Sequence, residues 1–282
     1  MSTIRIGLLT LSAMTAFAAN SLLCRLALAE GRIDPASFTL VRVASGACLL
    51  CALALWRHSP RQLGGDWVSA LALLSYAAGF SFAYVSLTAA TGALLLFGAV
   101  QATMIGYGVW AGERLTLGQV AGLLIAGTGL LVLLLPGAQA PSPGGACLML
   151  ASGVAWGTYS LRGRGLGDPT LASAGHFLRA TPLAALLCLP VGLAQLKADT
   201  TGLSLAIASG ALASGAGYAI WYAVLPHLRA ISAASVQLSV PVLTAAGAVV
   251  FLAEPITMRL LMAAAALLGG LALFLTARSA AH

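Results

Sequence analysis

The chain of 282 residues is 60% hydrophobic and 7% charged, with a mean hydropathy of +0.98. A soluble domain carries about 25% charged residues, so that class is excluded. The net charge of +7 is no nucleic-acid footprint, because the basic residues gather near helix ends, where membrane topology accounts for them.

Apolar runs of roughly 20 residues each match a bilayer's hydrocarbon thickness. They predict helices over residues 6–28, 35–56, 67–87, 91–112 and 115–135, then 145–162, 170–194, 203–225, 230–252 and 256–277. No ten-residue alternation suggests a barrel, and backbone groups in hydrocarbon must be satisfied within their own segment. The first run follows Arg5 and reads as a retained helix rather than a cleaved signal. The expected fold class is therefore an all-α integral membrane protein with ten transmembrane helices.

The chain reads as duplicated. Trp110-Ala-Gly-Glu-Arg-Leu-Thr116 returns as Phe251-Leu-Ala-Glu-Pro-Ile-Thr257, and Phe38-Thr-Leu-Val-Arg42 as Gly175-His-Phe-Leu-Arg179. The latter pair follow Asp34-Pro35 and Asp168-Pro169. Residues 1–135 form one five-helix repeat and 145–282 the second, joined by a Pro/Gly-rich linker over 136–144. With both termini cytoplasmic, Arg5, Arg57, Arg61, Arg114, Arg162, Arg164, Arg229 and Arg278 lie inside, against Arg25, Arg32, Lys197 and Arg259 outside. Five helices per copy force the copies to cross in opposite senses, the inverted repeat of secondary transporters that alternate access around a midplane site.

The segments Tyr218-Ala-Ile-Trp-Tyr222, Ala233-Ala-Ser-Val-Gln-Leu-Ser-Val-Pro241 and Ala253-Glu-Pro-Ile-Thr257, with the echo Gly112-Glu-Arg-Leu-Thr116, resemble the drug/metabolite transporter superfamily, EamA type. The resemblance covers essentially the whole chain and is nearest to bacterial amino-acid exporters of the YddG kind. It implies ten helices as 5+5, a bacterial inner-membrane location, and export of small metabolites through a cavity lined by helices 1, 3, 4, 6, 8 and 9. Helices 5 and 10 would lie away from that cavity. One departure is Val100-Gln101, where the repeat's proline would align with Pro241.

Candidate site residues follow. Tyr76, Phe80 and Tyr84 share one helix face, and Tyr218, Trp221 and Tyr222 stand at the matching level of helix 8. Such aromatics ordinarily anchor at membrane interfaces; the resemblance raises the second reading, a cavity wall suited to apolar or aromatic side chains. Trp156 and Tyr159 are further candidates for the lining. Asn20, Gln101, Gln237, Ser239 and Thr244 either bond a substrate's amino and carboxyl groups or bond between helices. Arg42 and Arg179 are ionisable within spans, yet lie near their helix starts, close enough to snorkel or to tie down the preceding loop, and their duplication favours a structural role in the repeat. Beside Arg179, His176 reads as a loop-facing contact. Glu113 and Glu254 end helices 4 and 9 at opposite faces, ~30 Å apart, where they bond backbone N–H groups or arginines and gate. Pro241, with nearby glycines, supplies a bend.

Small-residue faces at Gly118/Gly122, Ala265/Gly269 and Ala266/Gly270 serve helix packing, in a monomer or homodimer. Helix 1 holds no acid, which argues against proton exchange by the route of small multidrug transporters. Cys24, Cys48, Cys51, Cys147 and Cys188 read as packing thiols. A polytopic membrane enzyme would need clustered ligands or acids at one depth, and the chain has no His-Glu-x-x-His or carboxylate pair. No cofactor and no metal are expected. The sequence reading is an amino-acid exporter whose partners are its small-molecule substrate and the lipid bilayer. Its alternatives are drugs, nucleosides or organic acids on the same fold, or a passive channel.

Overall fold

The computed structural model describes residues 1–57, 64–137, 140–163, 168–190, 196–228, 233 and 236–279. Arg61, Arg164 and Arg229, which enter the orientation argument, lie outside the described residues, as do the side chains of Arg57 and Arg278. So do 138–139 of the linker, 191–194 of helix 7 and 230–232 of helix 9.

The first half holds α1 (Thr3–Ala29), α2 (Pro35–Arg57), α3 (Trp67–Tyr84), α4 (Ala89–Trp110) and α5 (Leu117–Leu134). The second holds α6 (Pro143–Arg162), α7 (Pro169–Leu186), a continuous rod α8 (Thr200–His227), α9 (Ser239–Leu252) and α10 (Met258–Ser279). Polar residues fix the helix starts by accepting orphan N–H groups. Asp34, Asp66, Thr88, Ser142, Asp168 and Asp199 do so for α2, α3, α4, α6, α7 and α8. Thr116 and Gln119 form a reciprocal capping box on α5.

By length and composition, seven helices among the described residues can cross a membrane: α1 to α5, α8 and α10. α6 and α7 are diluted by Gly, Ser, Thr, Tyr, His and Arg, and α9 is shorter at 14 residues. Ten spans were expected, and three of the ten helices thus fall short of the criterion. α7 contains Pro182 and closes at Leu186, earlier than the expected 194. α9 begins at Ser239, after a break at Leu238. Pro241, expected to bend a helix interior, is therefore the third residue of α9, in the first turn where a missing N–H costs nothing.

Large apolar side chains face outward, among them Leu117, Leu124, Val250 and Phe251, while Asn20, Ser21, Arg42, Gln101, His176 and Ser209 are buried. That inversion suits a lipid solvent, where polar side chains turn to the bundle interior. Trp56, Trp67 and Trp110 stand exposed at the end of α2, the start of α3 and the end of α4, positions fit for an aromatic belt.

The main packing pairs are kept when each helix is exchanged for the one five places on. α3 packs on α6 as α8 packs on α1, and α4 on α6 as α9 on α1. α3 meets α7 as α8 meets α2, while α2–α7, α4–α9 and α5–α10 map onto themselves. The α5–α10 crossing is close because it lacks side chains: a Cβ on Gly129 would stand 2.6 Å from Leu267 N, and one on Gly270 would stand 2.5 Å from Gly122 O. Gly118, Gly122, Ala266 and Gly270 thus serve packing within the chain, whereas Ala265 and Gly269 face outward.

Candidate functional site

α8 is not uniformly α-helical. Ala208–Ala216 forms a π-helix between α-helical Thr200–Ile207 and Gly217–Val224, and π-turns cluster at functional sites. Its composition explains its closeness to α2: a Cβ on Gly210 would collide with the Arg42 carbonyl and Ser45 Oγ. This segment turns Ser209 toward α1, where its hydroxyl donates to Asn20 Oδ1 at 2.7 Å.

Asn20 Nδ2 in turn donates to the Tyr76 hydroxyl at 3.1 Å, and Arg42 Nη2 donates to that same oxygen at 2.8 Å. The Arg42 guanidinium lies over the rings of Tyr76 (5.0 Å) and Phe80 (4.8 Å), a cation–π arrangement. Arg42 is only 2% exposed. Arg42 therefore neither snorkels nor ties down the preceding loop. It shares the buried face of α2 with Phe38, one turn earlier, and so turns into the bundle. Arg179 ties down a different segment from the one preceding its helix: its Nη1 donates to Gly64 O, ahead of α3, at 2.9 Å and to Gly175 O one turn back at 3.0 Å. His176 is also not loop-facing in the simple sense expected; it is buried, with Nδ1 3.2 Å from the Tyr159 hydroxyl.

Around this network runs a continuous aromatic wall. Trp156 stands 4.8 Å from Tyr76 and 5.0 Å from Tyr218, and stacks on Tyr159 at 5.5 Å. Phe17 meets Tyr218 edge-on at 5.9 Å and Phe177 approaches it from behind. The wall encloses a cavity of ≈ 30 Å³ lined by Phe17, Asn20, Ser21, Tyr76, Phe80, Leu96, Phe97, Trp156, Ala213, Tyr218 and Gln237. That is room for about two waters.

Of the expected lining, Asn20, Phe80, Trp156, Tyr218 and Gln237 come together here. Tyr84 does not; its hydroxyl donates to Ala89 O at 3.2 Å and its ring occupies the space a Cβ on Gly92 would take. Tyr159 lies behind Trp156. Trp221 packs on Phe17 at 6.3 Å. Tyr222 is half-buried beside Gly163, and Gln101 is buried on α4 away from the cavity. Ser239 donates to Val236 O at 2.6 Å within its own helix start. Phe17, Ser21, Leu96, Phe97 and Ala213 escaped the sequence reading, being ordinary residues of apolar spans.

An ion pair stands near each end of α3, on either side of its cavity-lining Tyr76 and Phe80. At one end Glu254 accepts from Arg25 Nε at 2.8 Å and from the Ala89 N–H at 2.8 Å, while Arg25 Nη1 donates to Tyr84 O and Val85 O. The latch joins α1, α3, α4 and the end of α9. Ala253 sits in the left-handed region (φ 53°) to turn Glu254 back over the bundle; Gly112 (φ 95°) takes the matching place after α4. There Glu113 folds its carboxylate over Gly108.

At the other end Asp66 accepts from Arg162 Nη2 at 2.9 Å and from Ser69, joining α3 to α6, with His176 Nε2 3.6 Å away on α7. Partial burial opposes the Asp66 charge, but the hydrogen bonds from Ser69 and Arg162 outweigh it and hold the carboxyl well below the usual carboxylate range. Arg25 and Arg162 were counted only as topology charges. They stand 137 positions apart, as Arg42 and Arg179 do, so the repeat offset itself was the missed signal. Among the described residues no group of three or more His, Cys, Asp or Glu could hold a metal ion.

The family model for EamA-like transporters matches residues 5–135 and again 143–276. An uncharacterized protein of Pseudomonas aeruginosa is 57% identical over 272 residues, covering 96% of this chain and 94% of its own. A solved crystal structure superposes with a TM-score of 0.69 at 23% identity, covering 97% of this chain and 98% of the other. That likeness shows a shared fold.

Proposed function

Because the chain belongs to the EamA-like transporter family, we propose that it is a secondary transporter exporting small metabolites, neutral and aromatic amino acids first, by alternating access. Members of the family are membrane transporters of small molecules, not enzymes, and the apolar helices fit a multi-pass membrane protein. The finer reading rests on one observation: an aromatic cavity at mid-bundle lies between two ion-pair latches, Arg25–Glu254 and Asp66–Arg162. Opening one latch while the other holds exposes the cavity to one side at a time. The matched main packing pairs and the twofold family match support two inverted repeats, 1–135 and 145–282, and hence ten helices as 5+5 with both termini cytoplasmic. The bacterial inner membrane is the proposed location. Aromatic faces at Phe17, Trp156 and Tyr218 favour solutes with an apolar or aromatic body.

Counterflow of labelled amino acids into liposomes tests this. Saturable exchange of neutral or aromatic amino acids, lost in Trp156→Ala and retained in Trp221→Ala, supports both the class and the cavity. Folded protein that exchanges no amino acid overturns the substrate reading in favour of drugs, nucleosides or organic acids on the same fold.

A further inference from the structure

Hydrogen-bond capacity at the centre is lopsided. The Tyr76 oxygen already accepts two hydrogen bonds, from Arg42 and Asn20, which fills both its lone pairs. Its own proton must then be donated, and no protein acceptor receives it among the described residues; the residue lines the cavity. Tyr218, 4% exposed and on the same lining, carries a buried hydroxyl with no hydrogen-bond partner among the described residues. Behind them Arg42 Nη1 is likewise buried and unpartnered. An unmet donor in a protein interior is costly, and a lone cation more so.

No residue balances that cation. All seven acids of the chain, Glu30, Asp34, Asp66, Glu113, Asp168, Asp199 and Glu254, lie outside the helices, at caps and loops. Glu254 and Asp66 are held by Arg25 and Arg162 at the two latches. The centre therefore holds a fixed positive charge, a row of free donors, and no anion.

We infer that the solute is recognised through a carboxylate, which accepts the Tyr76 and Tyr218 hydroxyls in front of the Arg42 guanidinium, while its amino group is dispensable. This rests on the cavity being the transport site and deepens that reading. The aromatic wall selects an organic anion over an inorganic one, since Phe17, Phe80 and the ring of Trp156 offer apolar faces. Arg42 is a positioning residue: it orients the Tyr76 hydroxyl and supplies the field.

Binding to purified protein in micelles, followed by thermal shift and titration, tests the inference with three probes of one shape. These are 3-phenylpropanoate (carboxylate without amine), phenethylamine (amine without carboxylate) and phenylalanine (both). The expected result is that the first and third bind and the second does not. Tyr218→Phe, whose lost hydroxyl leaves no protein partner behind, should keep its melting temperature and weaken 3-phenylpropanoate by about 10- to 100-fold. Tyr76→Phe should do the same to binding. Phenethylamine binding with 3-phenylpropanoate excluded overturns the carboxylate assignment and leaves the cavity as the site. Unchanged affinity in Tyr218→Phe, or displacement of 3-phenylpropanoate by equimolar chloride, also overturns it. Binding of none of the three by folded protein overturns the amino-acid reading along with it.

Discussion

Replacing Glu254 by Gln is the sharpest perturbation of one latch. Each carboxylate oxygen accepts one N–H, from Arg25 Nε and from Ala89, both at 2.8 Å. The amide keeps one acceptor and turns an NH₂ toward the other donor, so one charge-assisted bond is lost and two donors face each other. Both side chains are largely shielded, at 18% and 14% exposure, so solvent screens the loss only modestly. A hydrogen bond to a charged group contributes about 1.5–3 kcal/mol. The population open at that end should then rise by about 10- to 150-fold, at 1.4 kcal/mol per factor of ten. Cys24, fully buried beside Arg25, is a native reporter. In a chain with Cys48, Cys51, Cys147 and Cys188 replaced by Ser, its N-ethylmaleimide labelling rate follows the open population when reclosing outpaces labelling. An unchanged rate in Glu254→Gln would refute the latch.

Asp66 gives a pH test at the other end. Its carboxyl is depressed in the folded protein, so its stabilisation is present above the unfolded value of about 4 and is lost as pH falls toward the folded one. The melting temperature should therefore drop on acidification below about pH 4, and Asp66→Asn should flatten that drop; parallel curves would count against the assignment. The α5–α10 crossing gives a neighbouring-residue test. Gly270→Ala drives a Cβ to 2.5 Å from Ala126 N and Gly122 O, whereas a Cβ on Gly269 meets nothing within 4 Å. Overpacking should cost Gly270→Ala about 1–3 kcal/mol, read as a lower unfolding midpoint, with Gly269→Ala at or above wild type. Equal midpoints would show the crossing yields.

The helix order and the duplicated ends were legible because they are periodic: apolar runs at membrane length, Asp-Pro starts, and the Glu-bearing motifs after helices 4 and 9. Arg42 was misplaced because distance from a helix start measures depth and says nothing of azimuth. Phe38 one turn earlier marks the buried face that Arg42 shares, and that spacing was readable. The π-helix over Ala208–Ala216 was not readable, since a stretch of Ala, Ser, Gly and Leu writes no register that separates a π-turn from an α-turn. The start of α9 was missed for the opposite reason. Pro241 was read as a kink within a long helix, when a proline in a first turn carries the same letter and no cost. Of the aromatic residues, side-chain identity gave the wall, but only packing separates Trp156 and Tyr218 at the cavity from Trp221 and Tyr84 behind it.

Arg42 also has a place in the order of synthesis. Asn20 precedes it, but Tyr76, the group it bonds, comes 34 residues later. α2 therefore meets the bilayer before that hydroxyl exists. An arginine within a span is costly, up to about 2.5–3.5 kcal/mol at the helix centre on insertion scales. α2 tolerates the cost through its other residues, with a mean hydropathy of 2.0 over its most apolar 18-residue stretch against 1.3 for α3. The cation enters on one of the helices best able to carry it, and its hydroxyl partner follows on a less apolar helix that finds a neighbour already in place.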